Sequence, residues 1–372
     1  MTNTAGHFLS PSQKIAWLRL IRTPGIGPQN FRKLVNRAGS VESALLAVPQ
    51  LARELPGIGA IPGIPQAEDE IAAHDRIGAR LVAVGEPDYP SLLAHIHGAP
   101  PIVSMMGGER VAGKPPIAIV GARNASAAGK RMTEILARGL GERGHSVVSG
   151  LARGIDAAAH AASLTHGTIA VLAGGLDRIY PEENIPLSRL IVESGGMLIS
   201  ELPLGWEPRA QDFPRRNRLV SGISMGVVVV EAARRSGSLI TARLALEQDR
   251  EVFAVPGSPL DQRSEGGNHL IREGARLVTS VDDIIEGLGK YDPQPRALFE
   301  PGWTPLSELE DLLPTDDDRS LLMEALSVTP TSIDTLVEAT GLPISTVQQL
   351  LVELELADRL EWTGRHLLAL KP

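Results

Sequence analysis

"PIAIVGARNASAAGKRMTEILARGLGERGHSVVSG", residues 116–150, decides the fold. It opens on an apolar run, passes a glycine-bearing turn, continues in a helical pattern and returns to a second apolar run, "HSVVSG" (145–150). Short runs rich in Val and Ile, bounded by glycine, read as strands buried on both faces. A strand–helix–strand unit of this length joins parallel strands by a right-handed crossover. The signal then recurs: "TIAVLAGG" (168–175), "MLISE" (197–201), "GVVVVEA" (226–232), "EVFAVPG" (251–257) and "RLVTS" (276–280), with helical stretches such as "SLITARLALEQDR" between them. The fold class is therefore α/β, with a Rossmann-like doubly wound, mostly parallel sheet over residues 114–290. Such sheets place their sites beyond the carboxyl ends of the strands.

Outward from this centre the pattern changes. "IAWLRLIRTPGIGPQNFRKLVNRAG" reads as helix, Pro-Gly-Ile-Gly turn and helix, and "ELPGIGAIPG" (54–63) repeats the turn. Residues 1–113 are thus expected to be a small helical domain of the helix-hairpin-helix (SAM-like) type. Its glycine turns either let backbone N–H groups approach a phosphate or merely cap helices, and the acidic "QAEDE" that follows favours the structural role. Residues 291–315, with five prolines, read as a linker. Residues 316–372 have the look of a winged-helix-like module. Positions 316–360 hold nine acidic and two basic residues, which disfavours DNA binding by that module and favours protein docking or capping.

The 372 residues contain no cysteine, excluding disulfides, thiol nucleophiles and cysteine-ligated metals. With no leader pattern and no apolar run of membrane-spanning length, a cytoplasmic protein without membrane partners is expected. The net charge of −8 is unevenly placed. Residues 1–113 carry 10 basic and 9 acidic side chains, 114–290 carry 21 and 20, and 291–372 carry 5 and 15. The acidity belongs to the tail, so the global charge is no argument against a polyanion ligand for the centre.

The strand ends hold the candidate chemistry. "VGARNASAAGKR" lacks the spaced glycines of a dinucleotide fingerprint and the Gly, Ser or Thr of a P-loop. What remains is a turn at a helix N-terminus, with Gly121, a cap at Ser126 and Arg123 projecting, an arrangement suited to a phosphate. "SGLARGIDAAAH" supplies Ser149, Gly150, Arg153 and Gly154. Its Asp156 and His160 could form an acid–base or metal pair, but a helix-dipole Asp and a hydrogen-bonded core His account for them better. "GGLDRIYPEEN" offers Asp177, Tyr180 and Asn184. "DFPRRNRLVSG" (212–222) holds Phe213, Arg215, Arg216, Asn217 and Arg218, the densest positive cluster in the chain. Read as extended, it turns Arg216 and Arg218 to one side toward phosphates and Asn217 to the other as a brace, leaving Arg215 expendable. No metal site and no cofactor are expected. Aromatic residues are only 3% of the chain, so a nucleic-acid groove here must rest on arginine, backbone amides and Phe213 or Tyr180.

The ordered set "GARNAS", "SGLARGIDAAAH", "GTIAVLAGGLDRIYPEEN", "ISELPLG", "FPRRNRLVSGIS", "EAARRSGSLITARLAL" and "VFAVPG…EGGNHLIREGA" resembles the DNA-processing protein A (DprA/Smf) family over nearly all of 114–280. The resemblance implies a non-enzymatic protein that binds incoming single-stranded DNA and loads RecA recombinase onto it in natural transformation. It also implies a homodimer formed through the Rossmann-like domain. By motif, the family's DNA-binding positions fall on Arg123, on Ser149, Gly150 and Gly154, and on Phe213, Pro214, Arg216, Asn217 and Arg218. Ala122 stands where the family usually has serine. Two alternatives belong to other classes. A Rossmann-like enzyme or sensor acting on a nucleotide-derived small molecule would need a PGGxGTxxE signature, which "RRSGSLITARLALE" does not supply. A pure interaction scaffold would leave the arginines in salt bridges.

Overall fold

The computed structural model describes residues 8–54, 57–234, 236–289 and, in the last part of the chain, 316–327, 329–342, 347, 350–351, 354, 360–363 and 367–370. The expected linker, 291–315, lies outside the described residues, as does much of the second helix expected in the winged module.

Seven parallel strands form the centre: β3 (Pro116–Val120), β4 (Ser146–Ser149), β5 (Thr168–Val171), β6 (Met197–Ser200), β7 (Gly226–Val229), β8 (Glu251–Ala254) and β9 (Arg276–Leu277). Two more lie upstream, β1 (Ala79–Ala83) and β2 (Ile102–Gly107), and β2 joins β6 antiparallel. The order is β1-β2-β6-β5-β4-β3-β7-β8-β9. Residues 79–107, grouped by their sequence with the helical domain, therefore extend the sheet.

Alternation along β3 shows how the core divides. Ile117 and Ile119 face one layer with α6 (Ala127–Glu142), α7 (Ile155–Ser163) and α12 (Val281–Leu288). Ala118 and Val120 face the other, with α9 (Asp212–Ile223) and α10 (Gly237–Glu247). The remaining helices of this region are α8 (Ile185–Glu193) and α11 (Glu265–Arg272), with a single turn, α5 (Ser91–Ala94), between β1 and β2. Helix starts follow local chemistry: the hydroxyls of Ser126, Ser236 and Ser280 accept the first backbone N–H groups of α6, α10 and α12.

The N-terminal helices are α1 (Pro11–Ile21), α2 (Pro28–Ala38), α3 (Val41–Glu54) and α4 (Ile64–Arg76). The two glycine turns of this region lock together rather than standing free. Gly59 N donates to Pro24 O at 3.0 Å, and a Cβ on Gly25 (φ +83°) would sit 2.4 Å from Gly57 O. Trp17, Leu20 and Phe31 pack in one cluster with Leu81 and Ile102 of the sheet.

Residues 301–372 form a separate compact unit. It contains α13 (Asp316–Ala325), α14 (Ile333–Thr340) and a three-stranded sheet in the order β10 (Thr331–Ser332), β12 (Leu367–Leu370), β11 (Leu360–Thr363). Helices followed by this antiparallel ribbon are a winged helix. Among the described residues no helix is long and apolar enough to cross a membrane.

Candidate functional site

Three loops at the carboxyl ends of β3, β4 and β5 and the first turn of α9 enclose a cleft of ≈ 300 Å³. Arg123, after β3, is exposed, and its guanidinium carbon lies 5.5 Å from the centroid of the Phe213 ring. Tyr180, 52% exposed, meets the same ring edge to face at 5.4 Å. Asn124, Gly150, Ala152, Arg153, Pro181 and Arg216 complete the lining. Arg153 pairs with Glu183 at 2.7 Å, whereas Arg123 has no carboxylate partner among the described residues. The opening thus presents a cation and two aromatic faces, the two chemistries that hold a nucleic-acid single strand.

Beneath this surface the other expected residues form a rigid frame. Ser149 is fully buried and donates to Ile119 O at 2.7 Å, tying β4 to β3. The Asp156 carboxylate accepts from Gly150 N (3.1 Å) and Ala152 N (3.3 Å), and Asn184 Nδ2 donates to Leu151 O (2.8 Å) and Ala152 O (3.2 Å). Gly154 has φ +75°, and a Cβ there would lie 2.2 Å from Ala122 O, so only glycine lets the β4 loop meet the β3 loop. Gly121 is similarly confined by Ile155. Asp156 and His160 do not act as a pair. Thr168 Oγ1 gives its proton to Val147 O and so accepts from His160 Nδ1 at 2.7 Å, leaving Nε2 unprotonated and buried without a partner. Burial, with the Arg216 charge nearby, pulls His160 down to about 3.

The "DFPRRNR" stretch departs from its expected form. It is helical, not extended, so Arg216 and Arg218 do not share an outward side. Arg216 points inward, 6% exposed, and donates from Nη1 to Gly150 O (2.6 Å) and Val171 O (2.5 Å). A Cβ on Gly150 would stand 2.6 Å from that guanidinium. Burial lowers Arg216 to about 10 while the Asp156 charge supports its cationic form, and Asp156 in turn is raised by burial and lowered by Arg216. Arg218 donates to Gly98 O (2.8 Å) and pairs with Glu201, which also holds Arg215 at 3.0 Å. Arg215, read as expendable, is the most exposed of the three. Asn217 accepts from Arg216 Nε (3.3 Å) and donates to Gly237 O (3.4 Å), a bracing role.

A second departure concerns the helix N-terminus. The order of the parallel strands reverses between β3 and β7, the point where a doubly wound fold usually binds an anion on a helix start. Here Glu231, just beyond β7, occupies that place. Its carboxylate accepts from Ser126 N (2.9 Å) and Ser126 Oγ (2.5 Å), and Gly129 in α6 is needed because a Cβ would meet it at 2.4 Å. The phosphate position suggested by "GARNAS" is filled from within, and the open cleft lies to the β4–β5 side. No sequence signal marked Glu231 for this role.

A doubly wound sheet preceded in sequence by a helix-hairpin-helix domain and followed by a winged helix, with an arginine and aromatic cleft at its strand ends, defines a class of modular DNA-handling protein. The chain belongs to the DNA recombination-mediator protein A family, whose model matches residues 80–289; models of the DprA-like N-terminal HHH domain and the DprA winged helix domain match 11–73 and 307–364. It is 41% identical over 248 residues to protein Smf of Escherichia coli, covering 65% of this chain and 64% of that one. It is 33% identical over 387 residues to protein Smf of Synechocystis, covering 94% and 96%. Among solved structures it is similar to DNA processing protein A of Streptococcus pneumoniae (33% identity, TM-score 0.54, 72% of this chain and 99% of that one). It is also similar to DNA processing protein A of Helicobacter pylori, described for its single-stranded DNA binding mode (29% identity, TM-score 0.51, 56% and 95%).

Proposed function

We propose that this chain binds single-stranded DNA in the cleft formed by Arg123, Phe213 and Tyr180, and serves DNA processing in natural transformation. The observation that carries the proposal is the exposed Arg123 guanidinium held over the Phe213 ring, with Tyr180 against its edge. A base stacks on these faces while a phosphate meets the cation, and neither contact reads sequence. Arg153 contributes a second, ion-paired cation. Gly150 and Arg216 form part of the cleft wall, and Ser149, Gly154, Asn217 and Arg218 hold it in shape rather than meeting the strand. Family membership and the single-stranded DNA binding of the Helicobacter pylori relative support this assignment.

Loading of RecA recombinase, homodimerisation through the Rossmann-like domain and a cytoplasmic location belong to the same proposal. Binding, without turnover, is the activity assigned to the cleft. Fluorescence anisotropy with labelled oligo-dT tests it. Arg123→Ala and Phe213→Ala should each weaken binding on the order of tenfold, the size of one lost stacking or charge contact. Wild-type affinity in both variants would overturn the assignment.

A further inference from the structure

The loop between β6 and α9 repeats the arrangement found in the cleft. Arg209 lies with its guanidinium carbon 4.8 Å from the centroid of the Trp206 ring, as Arg123 lies over Phe213. Arg209 is exposed and, among the described residues, has no carboxylate partner. Neighbouring arginines differ: Arg178 is held by Asp177 and Glu207, and Arg215 and Arg218 by Glu201. Arg123 and Arg209 are thus two guanidinium groups laid on aromatic rings with their charge left for an outside anion.

The Trp206–Arg209 pair is built in place. The Asp212 carboxylate, 3% exposed, accepts from Trp206 Nε1 (3.0 Å) and from Arg209 N (2.9 Å). Gly175 N donates to Trp206 O at 3.0 Å, Gly205 N donates to the Asp177 carboxylate at 2.8 Å, and a Cβ on Gly174 would stand 2.7 Å from Pro208. The loop is therefore docked on the turn after β5, which also carries Tyr180. Asp212, its anchor, is the residue immediately before Phe213. One aromatic–arginine pair is bonded to the start of α9 and the other ring belongs to that start.

We propose that Trp206 and Arg209 form a second nucleotide subsite, on which the same single strand continues after leaving the Arg123–Phe213 cleft. This rests on the proposed function. The ligand is one further base and its phosphate, the base stacked on the Trp206–Arg209 layer and the phosphate on the guanidinium edge.

A length series of oligo-dT on the full chain tests it, comparing Arg209→Ala, Arg209→Lys and Trp206→Phe with Arg123→Ala. Arg209 is a surface residue, so its removal spares the fold. Arg209→Ala should match wild type on the shortest oligomers that bind and lose roughly 5- to 150-fold on longer ones, the range of one base stack. Arg209→Lys, which keeps charge without the plane, should fall between. Longer oligomers should quench indole emission in wild type, and Trp206→Phe should abolish that quenching. Equal affinity of Arg209→Ala and wild type at every length would overturn the second subsite, as would an equal loss at every length. If wild type itself bound no oligomer, the proposed function would fall with it. If Arg123→Ala alone lost binding, only the second subsite would fall.

Discussion

His160 sits in the layer under the cleft, fully buried, with its one hydrogen bond to Thr168 and its Nε2 facing no donor. A neutral ring is tolerated there, whereas a charged one would need a partner and would lie near the Arg216 cation. The folded-state value, about 3, lies below the ordinary 6.5, so the unfolded chain takes up a proton that the native state refuses. The contribution is complete above pH 6.5 and is lost as pH falls toward 3, at about 1.4 kcal/mol per pH unit from this one site. His160→Asn keeps a donor toward Thr168 and removes the titration. Urea unfolding at stepped pH should show a flatter decline for the variant than for wild type between pH 6.5 and about 4; parallel declines would contradict the assignment. The spacing in "GIDAAAH" made a first-turn Asp and a hydrogen-bonded core His the better reading than a pair, but which residues each would face was not legible. Asp156 turns to the β4 loop amides and His160 to β5, partners that only the tertiary fold supplies.

At the scale of elements, the seven parallel strands were legible because each is a Val- or Ile-rich run ended by glycine or a polar residue. β1 and β2 were not, since "ARLVA" and "IVSMMG" stand alone among helices and prolines without a crossover pattern. Helix α9 was misread for a sharper reason. Its inward row is Asp212, Arg216, Leu219, Val220 and Ile223, a helical spacing in which a cation holds a core position. A periodicity test that counts only apolar residues sees that row start at Leu219, after the arginines. The start of α6 was half legible: Ser126 does cap it, but the partner that completes the cap, Glu231, comes from just beyond β7, 105 residues away. Removing that partner isolates its contribution. Glu231→Ala strips an acceptor from both Ser126 groups and from the positive end of the helix dipole, and should cost about 1–3 kcal/mol. Glu231→Gln retains one acceptor and should cost less. Urea midpoints with unchanged slopes would report this, and a Glu231→Ala variant as stable as wild type would show that the carboxylate is not the cap.

Across the whole molecule, three modules were readable because each has its own periodicity, and the site was readable mainly where its residues come from strand ends. Arg123 and Tyr180 fall in that group, while Phe213, at the start of α9, was marked by the arginine cluster that follows it. Trp206 and Arg209 do not, because "LGWEPRA" has no strand or helix signal and gains meaning only from its docking on the β5 turn. Charge distribution is the feature of the whole chain with the most direct consequence. Residues 1–300 hold 32 basic and 31 acidic side chains, while 301–372 hold 4 and 13, so a near-neutral DNA-binding unit is joined to a strongly acidic one. An anionic module tethered to the unit that holds a polyanion raises the cost of bringing DNA near, and salt weakens that repulsion over a Debye length of roughly 10 Å at 0.1 M. A chain ending at residue 300 should therefore bind oligo-dT more tightly than the full chain at low salt, by a few-fold, with the two curves converging as salt rises. Each should also lose affinity with salt, with a log–log slope near −0.7 per phosphate neutralised. With Arg123, Arg153 and Arg209 engaged, the slope of the shortened chain should lie near −2. Weaker binding after truncation would instead mean that the winged module contributes contacts to the strand, despite its charge.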